Sequence, residues 1–347
     1  MIRNLLGVLG LILVGVLLWR WRMVRHLVSR PRGPAVAPAY RAELLRPEGR
    51  SRVLLVAGGS PEELVNECLE RLGAAALLQV AGKNVLVKPN VVGGAPAPTT
   101  NPEVVGALCR WLKQQGAATV WVGDMSAVMT AGTRRGMSVS GIEEAARQAG
   151  AIPVYFEDHS WVSVKLPGAR YLDHVPVSEF IVKADRVINV PVIKSHKWAT
   201  YSVCMKNFVG ATHGRYRPYM IDSAHWEEIV SEINLAYRPD LNLVDGTRLM
   251  FAGGPWKGEE AETGLVLAGG DRVACDAVAV ALIKTFPVTG RLAERGVWEQ
   301  TQIRHAQAIG LGLADPGLLE LEIHRWAGAT TSELEPRLEA MQRLLRS

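Results

Sequence analysis

Four short stretches of this chain carry residue types that could hold an anion, and each follows or ends an apolar run of strand length. The first reads Lys88-Pro89-Asn90 and leads through Gly93-Gly94 to Thr99-Thr100-Asn101 at a helix start. The second is Gly123-Asp124-Met125-Ser126. The third is Asn189-Val190-Pro191, followed by Lys194-Ser195-His196-Lys197. The fourth is Asp245-Gly246-Thr247, with Gly253-Gly254-Pro255 behind it. Lysines supply point charges, and glycine-rich turns and helix N-termini present free backbone N–H groups. Each cluster alone has a plainer explanation, because strand ends need caps and turns need glycine. Ligands of open α/β sheets gather outside the carboxyl ends of the strands, so convergence of the four on one edge is expected to make a single anion site.

His196 sits between Lys194 and Lys197, just beyond a strand. Neighbouring cations lower an imidazole pKa, leaving it neutral near pH 7 and fit to accept a proton or bind a metal. A hydrogen-bonding loop histidine is the equal alternative. Lys206-Asn207 and His213 follow, with Gly210 between them allowing close backbone approach. The expected site therefore uses Lys88, Lys194 and Lys206 to hold the anion, with Asn90, Thr99, Ser195 and Asn207 beside them. His196 is the general acid/base, and Asp124 or Asp245 orients it or binds a divalent cation such as magnesium. Asp276 is a further cation candidate, structural ion pairs explain these aspartates almost as well, and Asp271 reads as the cap of the helix containing Asp276. His159 and His174 read as surface residues. The serine-hydrolase elbow, the P-loop and the H-E-x-x-H zinc motif are all absent.

These residues need a scaffold. Apolar residues make up 48% of the chain and charged residues 21%, which excludes wholesale disorder. Continuous apolar runs at Arg52–Ala57, Asn84–Lys88, Ala118–Val122, Ile152–Phe156, Arg186–Val190, Leu241–Val244 and Thr263–Ala268 read as buried strands. Helical patterns at Pro61–Leu78, Pro102–Gln115, Gly141–Gln148, Trp226–Tyr237, Arg272–Ile283 and Ile303–Gly310 alternate with them. Ser60 and Asn101 stand as N-caps with proline at the first helical position. The fold class is α/β: a mostly parallel doubly wound sheet with helices on both faces, plus one N-terminal transmembrane helix. Ser332–Leu345 closes the chain as an amphipathic helix.

Leu5–Trp19 is uncharged and apolar, short for a span but extendable by Ile2, Trp21 and Met23, with arginines snorkelling. Small residues do not follow it closely, so an uncleaved anchor is expected over residues 1–24 rather than a cleaved signal. Residues 20–52 hold nine arginines against Glu43 and Glu48, whereas the whole chain carries only +5. The basic character thus belongs to a Pro/Ala-rich linker at 25–51 that suits anionic lipid headgroups, and nucleic acid is not an expected partner. The positive-inside asymmetry puts the main domain in the cytoplasm, on a single-pass anchor in the cell membrane. Cys68, Cys109, Cys204 and Cys275 lie far apart, as four buried thiols would.

The series VLVKPNVV from Val85, TTNPEVV from Thr99, Gly123-Asp124, INVPVIKSH from Ile188, MKNFVGA from Met205, LVDG from Leu243, GGP from Gly253 and LAGGDRVACDAVA from Leu267 resembles the DUF362 family, a domain of unknown function. The resemblance covers about residues 52–313 and implies a domain over 52–325, followed by the C-terminal helix at 326–347. Many members carry a ferredoxin-like iron–sulfur module; this chain lacks its cysteines, so no iron–sulfur cluster is expected. Where the family usually reads lysine-threonine-histidine, this chain has Lys194-Ser195-His196, which keeps the hydroxyl. The layout is also similar, at fold level alone, to nickel-pincer lactate racemase-like proteins. The resemblance supplies no mechanism. An enzyme acting on a small anionic substrate is the first expectation, and a non-catalytic ligand-binding or accessory module for redox or cofactor assembly is its rival.

Overall fold

The computed structural model describes residues 14, 31, 33–38, 49–92, 99–127, 132–326 and 334–347. All of the expected anchor except Val14, and most of the basic linker, lie outside these residues. Among the described residues no helix is long and apolar enough to cross a membrane.

The first half alternates strand and helix: β1 (Ser51–Ala57), α1 (Pro61–Arg71), α2 (Ala74–Leu78), β2 (Asn84–Pro89), α3 (Pro102–Gln114), β3 (Thr119–Asp124), α4 (Thr133–Val139), α5 (Ile142–Gln148) and β4 (Ile152–Tyr155). Ser60 caps α1 in a capping box with Glu63, and Asn101 caps α3 by accepting from Glu103 N. The single helix expected from Pro61 to Leu78 is broken at Gly73, whose φ of 64° a residue with a side chain rarely adopts. Next come the hairpin β5 (Trp161–Lys165) and β6 (His174–Ser178), α6 (Glu179–Lys183), β7 (Arg186–Val190), β8 (Val192–His196), β9 (Thr200–Ser202), α7 (Cys204–Asn207), α8 (Pro218–Ile221) and α9 (Trp226–Glu232). The chain ends with β10 (Leu241–Gly253), β11 (Gly258–Gly269), α10 (Arg272–Ile283), α11 (Arg291–Glu294), α12 (Thr301–Ala308), β12 (Leu319–Arg325) and α13 (Glu335–Arg346).

One large sheet runs β12-β1-β11-β10-β7-β2-β3-β4, with β8 also on β10 and β9 on β8. Most pairings are parallel. The β1–β11, β10–β11 and β8–β9 pairings are antiparallel, so the sheet is mixed. Strand residues alternate between two cores, as period-2 geometry requires. Val53 and Leu55 join the core that holds α10 and α13, while Leu54 and Val56 join the one that holds α1 and α3. Helices therefore cover both faces. Asp271 caps α10 as expected, accepting from Val273 N and Ala274 N, and it also accepts from the Ser51 hydroxyl at 2.7 Å. All four cysteines are free and buried.

Two features depart from the sequence reading. Strand β10 continues past Asp245 to Gly253 in a long pairing with β11, whose exposed Glu259, Glu260 and Glu262 interrupt the apolar signal. Val36, in the expected Pro/Ala-rich linker, bridges to Val164 of β5 through Val36 N to Ser163 O at 2.9 Å and Lys165 N to Val36 O at 2.8 Å.

Candidate functional site

Strands β7, β2 and β3 are parallel neighbours, in register at Lys88↔Asn189 and Val87↔Val122. Their carboxyl ends bring Asn189, Lys88 and Asp124 side by side. The Lys88 ammonium is fully buried and donates to Asp124 Oδ1 at 2.8 Å, Pro89 O at 3.0 Å and Asn207 Oδ1 at 3.3 Å. The other Asp124 oxygen accepts from Val91 N at 2.8 Å. Gly210 closes over this pair. A Cβ there would lie 2.0 Å from Asp124 Oδ1 and 2.9 Å from Lys88 Nζ, so only glycine fits.

A relay of amides extends from the pair. Asn242 takes the amide of Asn189 at 3.0 Å, Asn189 takes that of Asn207 at 2.8 Å, and Asn207 Oδ1 takes that of Asn90 at 3.2 Å. Asn90 Oδ1 then accepts from Lys194 Nζ at 2.8 Å. Each carbonyl is committed to a donor, which fixes the amide orientations and aims Lys194.

In front of the relay lies a cavity of about 290 Å³, lined among others by Asn90, Asp124, Lys194, His196, Lys206, Asn207 and Arg217. Strand β8 explains the membership. Lys194 and His196 are two apart and share a face, while Ser195 points the other way, with its hydroxyl to Gly253 O at 3.4 Å. Arg217 is 3% exposed, donates Nη2 to Met125 O at 2.7 Å, and leaves its buried Nε without an acceptor. The half-buried Lys206 has no hydrogen-bond or ion-pair partner among the described residues. Asp124 is the sole acidic residue of the described lining.

Electrostatics follow from this crowding. Burial, then the charge of Lys206, brings Lys194 down to about 7. Burial, then Arg217 and Lys88, brings Lys206 down to about 7. Burial also lowers Lys88, and Asp124 opposes that shift. His196 falls well below its usual range, chiefly through burial and then through the two lysines. Its Nδ1 accepts from Trp198 N at 3.2 Å and Ala199 N at 3.0 Å. Two backbone donors on one ring nitrogen forbid a proton there, so the neutral ring carries its proton on Nε2. His196 is thus a hydrogen-bond donor through Nε2 and cannot gain a proton without breaking its own turn, which redirects the expected general acid/base role.

The cavity mouth is aromatic. Trp198 and Trp226 stack at 6.1 Å between ring centroids, and Trp256 meets Trp198 edge-on at 5.6 Å. Trp198 and Trp256 are each 41% exposed, the values of an entrance. Trp198 rides the tip of the β8–β9 hairpin. There Thr200 holds φ 66°, a conformation rare for a β-branched residue, and its hydroxyl donates to Glu227 at 3.0 Å. Arg291 pairs with Glu227 at 2.6 Å and donates to Trp198 O at 2.9 Å, which pins the tip.

The structure brings together Asn90, Asp124, Lys194, His196, Lys206 and Asn207 in the lining, with Lys88 directly behind Asp124. It sets Asp245 and Thr99 apart. Asp245 lies inside β10 and accepts from Asn101 N at 2.7 Å and from Thr247 N at 3.0 Å, and burial pushes its carboxyl up. The Thr99 hydroxyl accepts from Val92 N at 3.0 Å and the Thr100 hydroxyl from Asn90 N at 2.8 Å, so both threonines shape the loop that carries Asn90. Asp276 is buried under α7, accepts from Cys204 N at 2.7 Å and rises to about 7 through burial. His213 packs edge-on to Trp161, and His159 and His174 are half-exposed as expected. Gly93-Gly94 lies outside the described residues. The sequence reading missed Arg217, Asn242 and the three tryptophans. A chain with ten tryptophans, one two residues after His196 and another next to Gly253-Gly254-Pro255, carried a signal for the last.

Comparison with known proteins adds the following. The profile of a family described as "Domain of unknown function (DUF362)" matches residues 85–281. A thylakoid-associated protein of Synechocystis sp. is 31% identical over 235 residues, which span 64% of this chain and 69% of that protein. Among solved structures, the lactate racemase apoprotein from Thermoanaerobacterium thermosaccharolyticum aligns over 90% of each chain at 13% identity and a TM-score of 0.36. A protein from Thermotoga maritima aligns over 61% of this chain and 56% of its own at 16% identity and a TM-score of 0.31.

Proposed function

The chain belongs to the DUF362 family, whose domain has no assigned function, and from that premise we propose that its cavity binds a small carboxylated or phosphorylated anion and acts on it as an enzyme. One observation carries the reading: Lys194, Lys206 and Arg217 line a space whose described lining holds a single carboxylate, Asp124, already paired with Lys88 behind it. Clustered buried cations without counter-charges are costly, and a bound anion relieves that cost. Arg217 offers an unused Nε–H, Lys206 an unused ammonium, and His196 an Nε2–H donor suited to a carbonyl or phosphoryl oxygen. Lys194 or Lys206, near pKa 7, would carry protons in place of His196.

A resident divalent metal fits this lining poorly. No three His, Cys, Asp or Glu side chains converge among the described residues, and both Asp124 oxygens already accept.

We place the domain at a membrane surface, tethered by residues 1–24 and by the contact of the arginine-rich linker with lipid headgroups. The apolar run Leu5–Trp19 and the name of the Synechocystis relative support that placement. Immunoblotting of membrane and soluble fractions tests it, and recovery in the soluble fraction refutes it.

Thermal denaturation of the detergent-purified full chain tests the anion reading. Phosphate, pyruvate and citrate would be compared with neutral amides of similar size. A fitting anion at a hundred times its Kd stabilises the fold by about 2.7 kcal/mol. The wild-type midpoint is expected to rise with at least one anion and not with the amides, and a Lys194→Met variant loses the rise. The rival accessory reading draws on the engaged Nδ1 of His196, and it predicts binding without turnover.

A further inference from the structure

We propose that Lys206 is a covalent nucleophile whose Nζ condenses with the carbonyl carbon of a 2-oxo acid or aldehyde acid held in the cavity. The inference rests on the anion-binding reading above and goes past it, to a reaction and a substrate class.

The three lysines of the site are not equivalent. Lys88 is locked by Asp124, Pro89 O and Asn207, and Lys194 is aimed by Asn90. Both act as fixed donors. Lys206 lines the same cavity on the short helix α7 and makes no hydrogen bond or ion pair among the described residues. A half-buried amine with no hydrogen-bond or ion-pair partner among the described residues, close to the cations Arg217, Lys88 and Lys194, gives up its proton readily, and the free amine attacks carbonyl carbons. The depressed pKa of Lys206, caused first by burial and then by Arg217, agrees with that geometry.

The remaining groups suit the two ends of such a substrate. Arg217 and Lys194 meet the carboxylate, and the Nε2–H of His196 donates to the oxygen of the carbonyl. The free amine of Lys206 adds to the carbonyl carbon, forming the C–N bond, and a proton passes from nitrogen to oxygen to give the carbinolamine. The ammonium of Lys194 protonates the departing hydroxyl, which leaves as water. The nitrogen lone pair forms the C=N bond of a protonated imine, and Lys194 recovers its proton from solvent. No electrons are exchanged and no further reactant is needed.

The test treats the full-length protein in detergent with pyruvate or glyoxylate and cyanoborohydride at pH 7, followed by peptide mass mapping. Hydride adds to the imine carbon and leaves a stable secondary amine. The adduct is expected on Lys206 at least tenfold above any other lysine, abolished in Lys206→Arg, and suppressed by excess phosphate. Thermal denaturation with the same two acids runs in parallel. Stabilisation by either acid without an adduct on Lys206, or with adducts spread evenly over surface lysines, overturns the nucleophile and leaves anion binding standing. No stabilisation by these acids, phosphate or citrate overturns anion binding itself, and the nucleophile with it.

Discussion

The ammonium of Lys88 lies 2.8 Å from Oδ1 of Asp124, and neither side chain is more than 3% exposed. Lys88 sits behind Asp124, which lines the cavity, and the pair's first role is structural: it fixes the carboxylate that anchors Val91 and the lysine that anchors Asn207. Removing one partner strands the other as a buried charge. Lys88→Met is expected to lose about 3–5 kcal/mol in urea unfolding, and a Lys88→Met/Asp124→Leu double variant to recover most of it. Equal losses in the two variants would show that the pair is not the stabilising unit.

The same pair dictates Gly210. A methyl group there meets Asp124 Oδ1 at 2.0 Å, and that carboxylate is held by Lys88 Nζ and Val91 N. Gly210→Ala should destabilise by about 1–3 kcal/mol, as overpacking does, and should weaken anion binding because Lys206 is four residues away on the same turn-rich segment. A midpoint unchanged in urea would refute the close packing.

His196 has two separable duties. Its Nδ1 holds the turn at Trp198 and Ala199, and on the proposed reading its Nε2–H donates to the bound anion. Asparagine can place its carbonyl where Nδ1 stands but has nothing at Nε2. His196→Asn is expected to fold near wild type and lose about tenfold or more in kcat/KM or affinity, while His196→Leu also loses the turn. If His196→Asn binds ligand as wild type does, the donor role is wrong.

The pH dependence has a definite sign. Lys194 and Lys206 each fall to about 7 in the folded chain, below the usual lysine value, so the unfolded chain binds more protons above pH 7. Their contribution to stability therefore grows as pH rises from about 7 toward 10, and Lys206→Met removes part of that rise. An anion favours both ammonium forms, so its binding takes up protons and its affinity falls as pH rises through 7. The expected slope is up to tenfold per pH unit for each proton taken up. Calorimetry in buffers of different ionisation enthalpy reads the uptake directly, and zero uptake at pH 8 contradicts it.

The sequence disclosed what local pattern encodes. The apolar runs ending at Lys88, Asp124 and Asn189 stood out because parallel strands are buried on both faces, and adjacency in the sheet then brought those ends together. Asp245 misled because β10 does not end there. Exposed glutamates on β11 hid the continuation, and a residue inside a strand is not at its carboxyl edge. His196 lies within β8, so alternation decides its partners: it shares the cavity with Lys194, and Ser195 is turned away. Arg217 and the tryptophans arrive from distant hairpins and short helices, where neither periodicity nor motif marks them. The Asn189–Asn242 link is likewise a tertiary contact that no local signal announces.

The central claim is that this cavity holds an anion through Lys194 and Lys206. Calorimetric titration of the full-length protein at pH 7 tests it most directly, using the anion that most raises the thermal midpoint, with wild type beside Lys194→Met and Lys206→Met. The account predicts one site per chain in wild type and at least a tenfold weaker Kd in each variant. Undiminished affinity in both variants would place the anion elsewhere and contradict it.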